Sequence, residues 1–244
     1  AYTGTAVQDR TFTSSTIAFG RFLNTTSPLT GTSTITSLGL SATTANATLG
    51  AFGQSNGLTL SLASGTNVFS GTSATQTATY TTGSSYTGAL GGFAGSFTGT
   101  ATNEFGGTSA VTVSFTGTAV QDRSYASPAQ ISLGRVLIGS SLNNTAVVTS
   151  TYSYATTATG TLGGSATAFN GIGLTGSNYV YNGSSTSGTY QLSGNVSAAA
   201  GATIGGTYSL TSTNEFGTAT AGAATVSFTG TAVQDRSYSS STIA

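Results

Sequence analysis

The chain has no cysteine, histidine, methionine, tryptophan or lysine, and only two prolines, Pro28 and Pro128, among 244 residues. Charged residues make up 4% of it, and five Arg balance five Asp and Glu, so the formal net charge is zero. Each absence closes a class of chemistry. Without cysteine there are no disulfides and no thiol nucleophile, and the usual redox clue to compartment is gone. Without histidine or lysine, the commonest general base and the Schiff-base amine are missing. Ser and Thr are abundant, but none is marked out by an activating partner. A glycosidase-type carboxylate pair needs two acids a few ångströms apart, and the five acids here fall at three repeated places. The expectation is therefore no enzyme and no cofactor. Zinc has no soft ligands, and a calcium site of one Asp, one Glu and carbonyls is undersupplied in charge. Zero net charge argues against nucleic acid or anionic membrane as partner. No apolar run approaches the ~20 residues of a membrane span. Neither a signal peptide nor an initiator Met is visible, which predicts a processed chain or a window of a longer one.

What is present is a repeat. Thr-Gly-Thr-Ala-Val-Gln-Asp-Arg occurs at 3–10, 116–123 and 229–236, so successive copies start 113 residues apart. That period is about one β-sandwich domain. At 37% hydrophobic and almost uncharged, the chain lacks the signature of disorder. The organisation expected is a closing strand of a preceding module, or a donated strand, at 1–10; one module at 11–120; a second at 121–233; and the start of a following module at 234–244. Ser240 to Ala244 repeats Ser14 to Ala18 and not the equivalent stretch of the second module. This suggests that the larger unit is the pair, continued beyond the window.

Within each module the apolar residues alternate. Val111, Val113 and Phe115 are interleaved with Thr112 and Ser114, and Leu58, Leu60 and Leu62 with Thr59 and Ser61, the period-2 pattern of half-buried strands. Ile17 to Leu23, Thr34 to Leu38, Thr75 to Thr81 and the Gly-rich run around Phe93 and Phe97 complete the first set. The second set is Ile131 to Ile138, Val147 to Tyr154, Leu162, Ile172 to Leu174, Tyr179 to Tyr181, Tyr190 to Leu192, Ile204 to Leu210, and Val226 to Phe228. Gly-Ser, Asn-Gly and Gly-Gly steps punctuate the runs, and no 3.6-residue period is sustained. The fold expected is all-β: two tandem immunoglobulin-like antiparallel β-sandwiches. A Thr/Gly-rich solenoid is the alternative, against which stands the lack of any coil-length sub-period.

All ten charges fall at repeated places: Asp9-Arg10, Asp122-Arg123 and Asp235-Arg236 in the octapeptide; Arg21 and Arg135 after a Gly in the first strand; Glu104 and Glu215 in Asn-Glu-Phe-Gly. These ten are the candidate structural residues of the junctions. The expectation is that they form ion pairs fixing the angle between modules, Arg being suited by its fork of donors. The plainer reading is solvated surface charge worth ~0–1 kcal/mol per pair. Sequons at Asn24, Asn46, Asn143, Asn182 and Asn195 are expected by chance in so Ser/Thr-rich a chain. Tyr residues in alternating strands are expected as half-buried packing, with an exposed carbohydrate-binding platform as the rarer reading.

The opening Ile131 to Gly139, its twin at Ile17 to Leu23, and the closing Val-x-Phe-x-Gly-Thr-Ala resemble the hydin-like, or ASH-type, immunoglobulin-like β-sandwich modules strung in tandem in large bacterial surface proteins. The match covers about a third of the chain. The Asn-centred turn common in that family's middle is not evident. The resemblance implies the sandwich fold and a bacterial cell-surface or extracellular setting.

Soluble β proteins blunt their sheet edges with Lys, Pro or inward charge. This chain has none to place there, and colloidal repulsion is near zero. Its modules are expected to associate with copies of themselves or with neighbouring repeats. The functional expectation is a structural repeat unit of an extracellular fibre or surface filament assembling end to end. The alternative is the stalk of a large adhesin whose binding tip lies outside the chain.

Overall fold

In the computed structural model the alternating runs become strands, and no residue described is helical; the structure describes residues 1–25, 27–38, 43–47, 55–65, 68–69, 75–151, 154–163, 169–175, 179–183 and 185–242. The expected strand residues Tyr152 and Ser153 lie outside these. By spatial contact the chain divides between Val120 and Gln121, inside the second octapeptide, into a unit of Ala1–Val120 and a unit of Gln121–Ala244.

Unit 1 contains β1 (Thr11–Ser14), β2 (Ile17–Leu23), β3 (Pro28–Leu38), β4 (Ala45–Ala47), β5 (Leu60–Gly65), β6 (Val68–Phe69), β7 (Thr75–Ser85), β8 (Gly91–Asn103) and β9 (Thr108–Val120). One sheet has the order β1-β3-β7-β5 and the other β2-β9-β8-β4-β6. The first reads A-B-E-D, and β9-β8-β4 reads G-F-C, the two sheets of an immunoglobulin sandwich, with β6 added at the C edge. Unit 2 contains β10 (Ile131–Leu137), β11 (Ser141–Thr151), β12 (Ala158–Gly163), β13 (Ile172–Thr175), β14 (Tyr179–Tyr181), β15 (Ser185–Asn195), β16 (Thr203–Asn214) and β17 (Ala219–Val233). Its sheets, β11-β15-β13 and β10-β17-β16-β12-β14, repeat the plan. A single antiparallel bridge, Ala126 to Thr149, stands where β1 pairs with β3 in unit 1. The fold class is thus the antiparallel all-β one expected, and the Greek-key order excludes a solenoid.

In both units one strand pair is parallel. β2 runs beside β9, and β10 beside β17, so the last strand of each sandwich is hydrogen-bonded to an early one, the second strand of unit 1 and the first of unit 2. Each of these ladders shifts register at a bulge around Gly20 or Gly134, which adopt left-handed φ values of 66° and 63°. Any other residue would be strained there.

The core of unit 1 fills the space between its sheets. Ile35, Leu60, Ala78 and Tyr80 from one sheet meet Phe97, Ala101, Val111, Val113 and Phe115 from the other, all buried. The alternation of Val111, Val113 and Phe115 is what places all three inward. The same rule fails at Leu62, which is 43% exposed while Leu58 and Leu60 are buried. Leu62 stands on the edge strand of the sheet, and the ladder shifts register just past it, between Leu62 and Ser64. The Gly-rich character of β8 and β9 also has a packing cause. Gly95 lies opposite Phe115 and Gly117 opposite Phe93. A Cβ on Gly95 would fall 2.5 Å from the Phe115 ring, and one on Gly117 2.8 Å from the Phe93 ring. The glycines are the floor on which cross-strand rings lie.

Candidate functional site

The charged residues singled out by the repeat assemble into one constellation per unit, built the same way twice. In unit 1, Arg10 is only 3% exposed. Its Nε donates to the Thr43 carbonyl at 2.5 Å and its Nη1 to Ser37 Oγ at 3.2 Å. The Thr43 amide in turn donates to the Gln8 carbonyl at 2.9 Å. In unit 2, Arg123 is 7% exposed. It donates to the Thr156 carbonyl at 2.5 Å, to Ser150 Oγ at 3.2 Å and to the Gly183 carbonyl at 2.6 Å. The Thr156 amide donates to the Gln121 carbonyl at 2.8 Å, and the Gln121 amide to the Tyr154 carbonyl at 3.1 Å. A guanidinium presents five donors in a fixed fork, so it can hold carbonyls and a hydroxyl together where the chain enters the sandwich. Burial lowers the Arg10 pKa from its ordinary value, and the nearby Glu104 charge opposes that shift. Arginine keeps its proton all the same.

The adjacent Asp engages a turn. Asn103 Nδ2 donates to Asp9 Oδ1 at 2.5 Å, while Asn103 Oδ1 accepts from the Phe105 and Gly107 amides at 2.9 and 2.8 Å. In unit 2, Asn214 donates to Asp122 at 2.6 Å and accepts from the Phe216 and Thr218 amides at 2.9 and 3.0 Å. This is an Asx turn closed by a left-handed glycine, Gly106 or Gly217. Glu104 and Glu215 anchor the same turn to the start of β4 or β12. Their amides donate to the Thr44 and Thr157 carbonyls at 3.0 and 2.8 Å, and Glu104 Oε2 accepts from the Thr44 amide at 3.2 Å. Thr44, Thr102, Asn103 and Glu104 line an open cleft of about 220 Å³ beside it.

Two residues past the Arg, an aromatic ring enters a slot. Phe12 meets Phe69 of β6 edge-on at 5.3 Å, and Tyr125 meets Tyr181 of β14 edge-on at 5.0 Å. The slots differ in one respect. The Tyr125 hydroxyl is hydrogen-bonded to Ser212 Oγ, whereas the matching residue of unit 1, two before the turn Asn, is Ala101. Gln8 to Phe12 and Gln121 to Tyr125 therefore act as a latch, each fastened to its own unit.

Of the ten residues expected at junctions, Asp9, Arg10 and Glu104 meet in one latch, and Asp122, Arg123 and Glu215 in the other. Arg21 and Arg135 do not join them. They pair with Thr118 and Thr231, at least ten residues along β9 or β17 from the turn and so about 30 Å away. Asp235 and Arg236 are exposed, on a stretch after β17 that forms no strand. Ser37, Thr43, Ser150, Thr156, Asn103 and Asn214 were not singled out from the sequence. The signal for four of them was there: Ser37 and Ser150, like Thr43 and Thr156, stand 113 residues apart, as the octapeptides do. Among the described residues no three of His, Cys, Asp and Glu come together, and no helix is long and apolar enough to cross a membrane.

The sequence matches no protein-family model, and a search of curated protein sequences finds no match. Solved structures of similar strand arrangement include the fibronectin(III)-like modules of Clostridium thermocellum CbhA, at 12% identity and a TM-score of 0.27, covering 95% of this chain and 100% of that one. The CupB6 tip adhesin from Pseudomonas aeruginosa is similar at 9% identity and a TM-score of 0.35, covering 93% and 100%. The cadherin domains 1–4 of protocadherin gamma B7 are similar at 9% identity and a TM-score of 0.40, covering 90% and 51%. The sandwich assignment rests on the strand order described above.

Proposed function

We propose that the chain is a structural repeat of an extracellular or cell-surface fibre, whose β-sandwich units join end to end, and that it is not an enzyme. The observation that carries this reading is the latch. Six of its residues and their bonding partners recur across two units whose middles have diverged. Evolution of an independent binding domain gives no reason to repeat the entry of the chain so closely. An array does, because every unit must receive the chain from the one before it. The boundary supports this: Val120 is the last residue of β9, and Gln121 is already bonded to unit 2, so no unbonded residue separates them. The sheet edges support it too. Among the described strands, β6 and β14 stand at equivalent edges of the two units, carry no charge, and have the exposed side chains Val68 and Val180. Uncharged exposed edges favour lateral association. The likeness of the module ends to ASH-type tandem modules of bacterial surface proteins points the same way.

Electron microscopy of the native material is the test. Ordered filaments with an axial repeat of roughly 35–50 Å, one sandwich length, or twice that, are the expected result. Isolated rods without lateral order would overturn the fibre in favour of an adhesin stalk.

A further inference from the structure

Three Asn-Gly pairs occur in the chain, at 56–57, 170–171 and 182–183. Such a pair is chemically unstable wherever its backbone can turn. The Gly amide nitrogen attacks the Asn side-chain carbonyl carbon, the bond to the side-chain nitrogen breaks, and ammonia leaves. Water then opens the cyclic imide at either carbonyl, giving aspartate or isoaspartate. The sum converts one amide and one water into one acid and one ammonia, with no oxidant and no catalyst. Glycine favours the step because it has no Cβ to crowd the closing ring. We propose that Asn182 is a site of this self-modification in the folded chain, ahead of Asn56 and Asn170, and that the change acts on the latch of unit 2.

The three pairs differ in how tightly they are held. Asn56 and Gly57 have φ values of 51° and 79°, and Asn170 and Gly171 have 53° and 81°. Two successive left-handed residues are the centre of a tight hairpin turn, and each of these turns is closed by an antiparallel bridge, Ser55 to Leu58 and Phe169 to Ile172. The Asn56 and Asn170 carbonyls also accept from amides outside the turn, those of Thr87 and Ser197, at 2.9 and 2.8 Å. The glycines are hemmed in. A Cβ on Gly57 would lie 2.6 Å from Thr87 Oγ1 and 2.8 Å from the Ser85 carbonyl, and one on Gly171 would strike the Asn195 carbonyl. Bringing the Gly nitrogen onto the Asn side chain requires rotation of the peptide between them, which would open both turns. Asn182 and Gly183, just past β14, are both exposed. A Cβ on Gly183 would meet nothing within 4 Å among the described residues. The Asn182 carbonyl accepts from the Thr186 hydroxyl, an exposed bond that water can replace.

The consequence falls on the latch because the Gly183 carbonyl accepts from Arg123 Nη2 at 2.6 Å. Isoaspartate routes the main chain through the former side chain and so adds one carbon between residue 182 and Gly183. That displaces the Gly183 carbonyl from the guanidinium, whose bonds depend on geometry. Unit 1 lacks the pair: Phe69, which fills the place of Tyr181 in the aromatic slot, is followed by Ser70 and Gly71.

The test incubates the full folded chain at mildly alkaline pH and follows the three pairs by peptide mass mapping, with a urea-unfolded sample beside it. Asn182 should lose its amide several-fold faster than Asn56 or Asn170 in the folded chain, and the three rates should converge in urea. Converted chain should show the unit 2 calorimetric transition lowered and the unit 1 transition unmoved. Asn182→Ser should abolish both the conversion and the shift. Equal rates at the three pairs in the folded chain, or a slower rate at Asn182, would overturn the site. Conversion at Asn182 that leaves the unit 2 transition in place would overturn its action on the latch.

Discussion

In unit 1 a ladder of rings runs through the sandwich: Phe22 against Phe93 at 5.7 Å, Phe93 stacked on Tyr86 at 4.4 Å, and Phe115 tilted on Phe97 at 4.8 Å. In unit 2 the described interior is built differently. Tyr181 and Tyr190 share a buried hydroxyl hydrogen bond of 3.1 Å, and Tyr208 donates to the Ile172 carbonyl at 2.6 Å. Leu192, Val196 and Ile204 pack beside Phe228. The latch, by contrast, repeats its Arg–Thr, Arg–Ser, Thr–Gln, Asn–Asp and Glu–Thr bonds in both units. The difference follows from the kind of force involved. Apolar packing asks for volume and inward alternation, which many residue sets satisfy. The latch asks for donors and acceptors at fixed angles, and few substitutes supply them. Between the two units the interior differs more than the entry point, where only the ring and its neighbour change, Phe12 and Ala101 to Tyr125 and Ser212.

Four experiments would break or sharpen that contrast. The largest effect is expected from Phe115→Ala, which removes a fully buried ring from the unit 1 ladder and should cost about 3–5 kcal/mol. Calorimetry should show the unit 1 transition lowered and the unit 2 transition unmoved; a shift of both would mean that the interiors are not separate. Arg10→Ala and Arg123→Ala should each cost about 2–4 kcal/mol through stranded carbonyls and lost packing. The two losses should agree within about 1 kcal/mol, each in its own unit, and a large inequality would end the claim that the latches are equivalent. Alkaline titration separates the interiors instead. Burial pushes Tyr80 up to about 12. The unfolded phenol ionises near 10, so the stability linked to Tyr80 is whole below pH 10 and lost between 10 and 12, by about 2–3 kcal/mol. Unit 2 has Tyr125, Tyr181, Tyr190 and Tyr208 all raised, chiefly by burial. It should therefore unfold at lower pH than unit 1, as circular dichroism of single-unit variants would show. The smallest effect is Thr156→Val. Thr156 Oγ1, like Thr43 Oγ1, is buried without a hydrogen-bond partner. Removing that hydroxyl should leave unit 2 unchanged or gain up to about 1 kcal/mol in urea unfolding.

The strands that were legible in the sequence are those whose apolar residues alternate undisturbed, such as Val111 to Phe115. β1, β4 and β6 were not, because Thr11–Ser14, Ala45–Ala47 and Val68–Phe69 are too short or too small-chained to show a period. Leu62 keeps the alternation but is 43% exposed, on the edge strand of its sheet just before a register shift. For the site, repetition marked the Asp, Arg and Glu of the latch, but not their direction of bonding. Arg10 and Arg123 each donate to a backbone carbonyl as well as to a serine hydroxyl, and no side-chain identity announces a carbonyl partner. The partners described above lie within their own unit. The role of the turn was hidden similarly: in Asn-Glu-Phe-Gly the charged Glu drew the eye, while the neutral Asn makes the bonds to Asp9 and Asp122.

The parallel pairing of β2 with β9, and of β10 with β17, has a mechanical consequence. Tension applied to a unit enters at the latch, just ahead of β2 or β10, and leaves at the end of β9 or β17. Because the two strands run the same way, the load pulls them past each other along their length. The ladder from Ile17–Phe115 to Leu23–Val120 must then yield all at once, in shear, and cannot be peeled open one bond at a time. A unit so wired should yield under tension in one cooperative step, which stretching of single molecules would show.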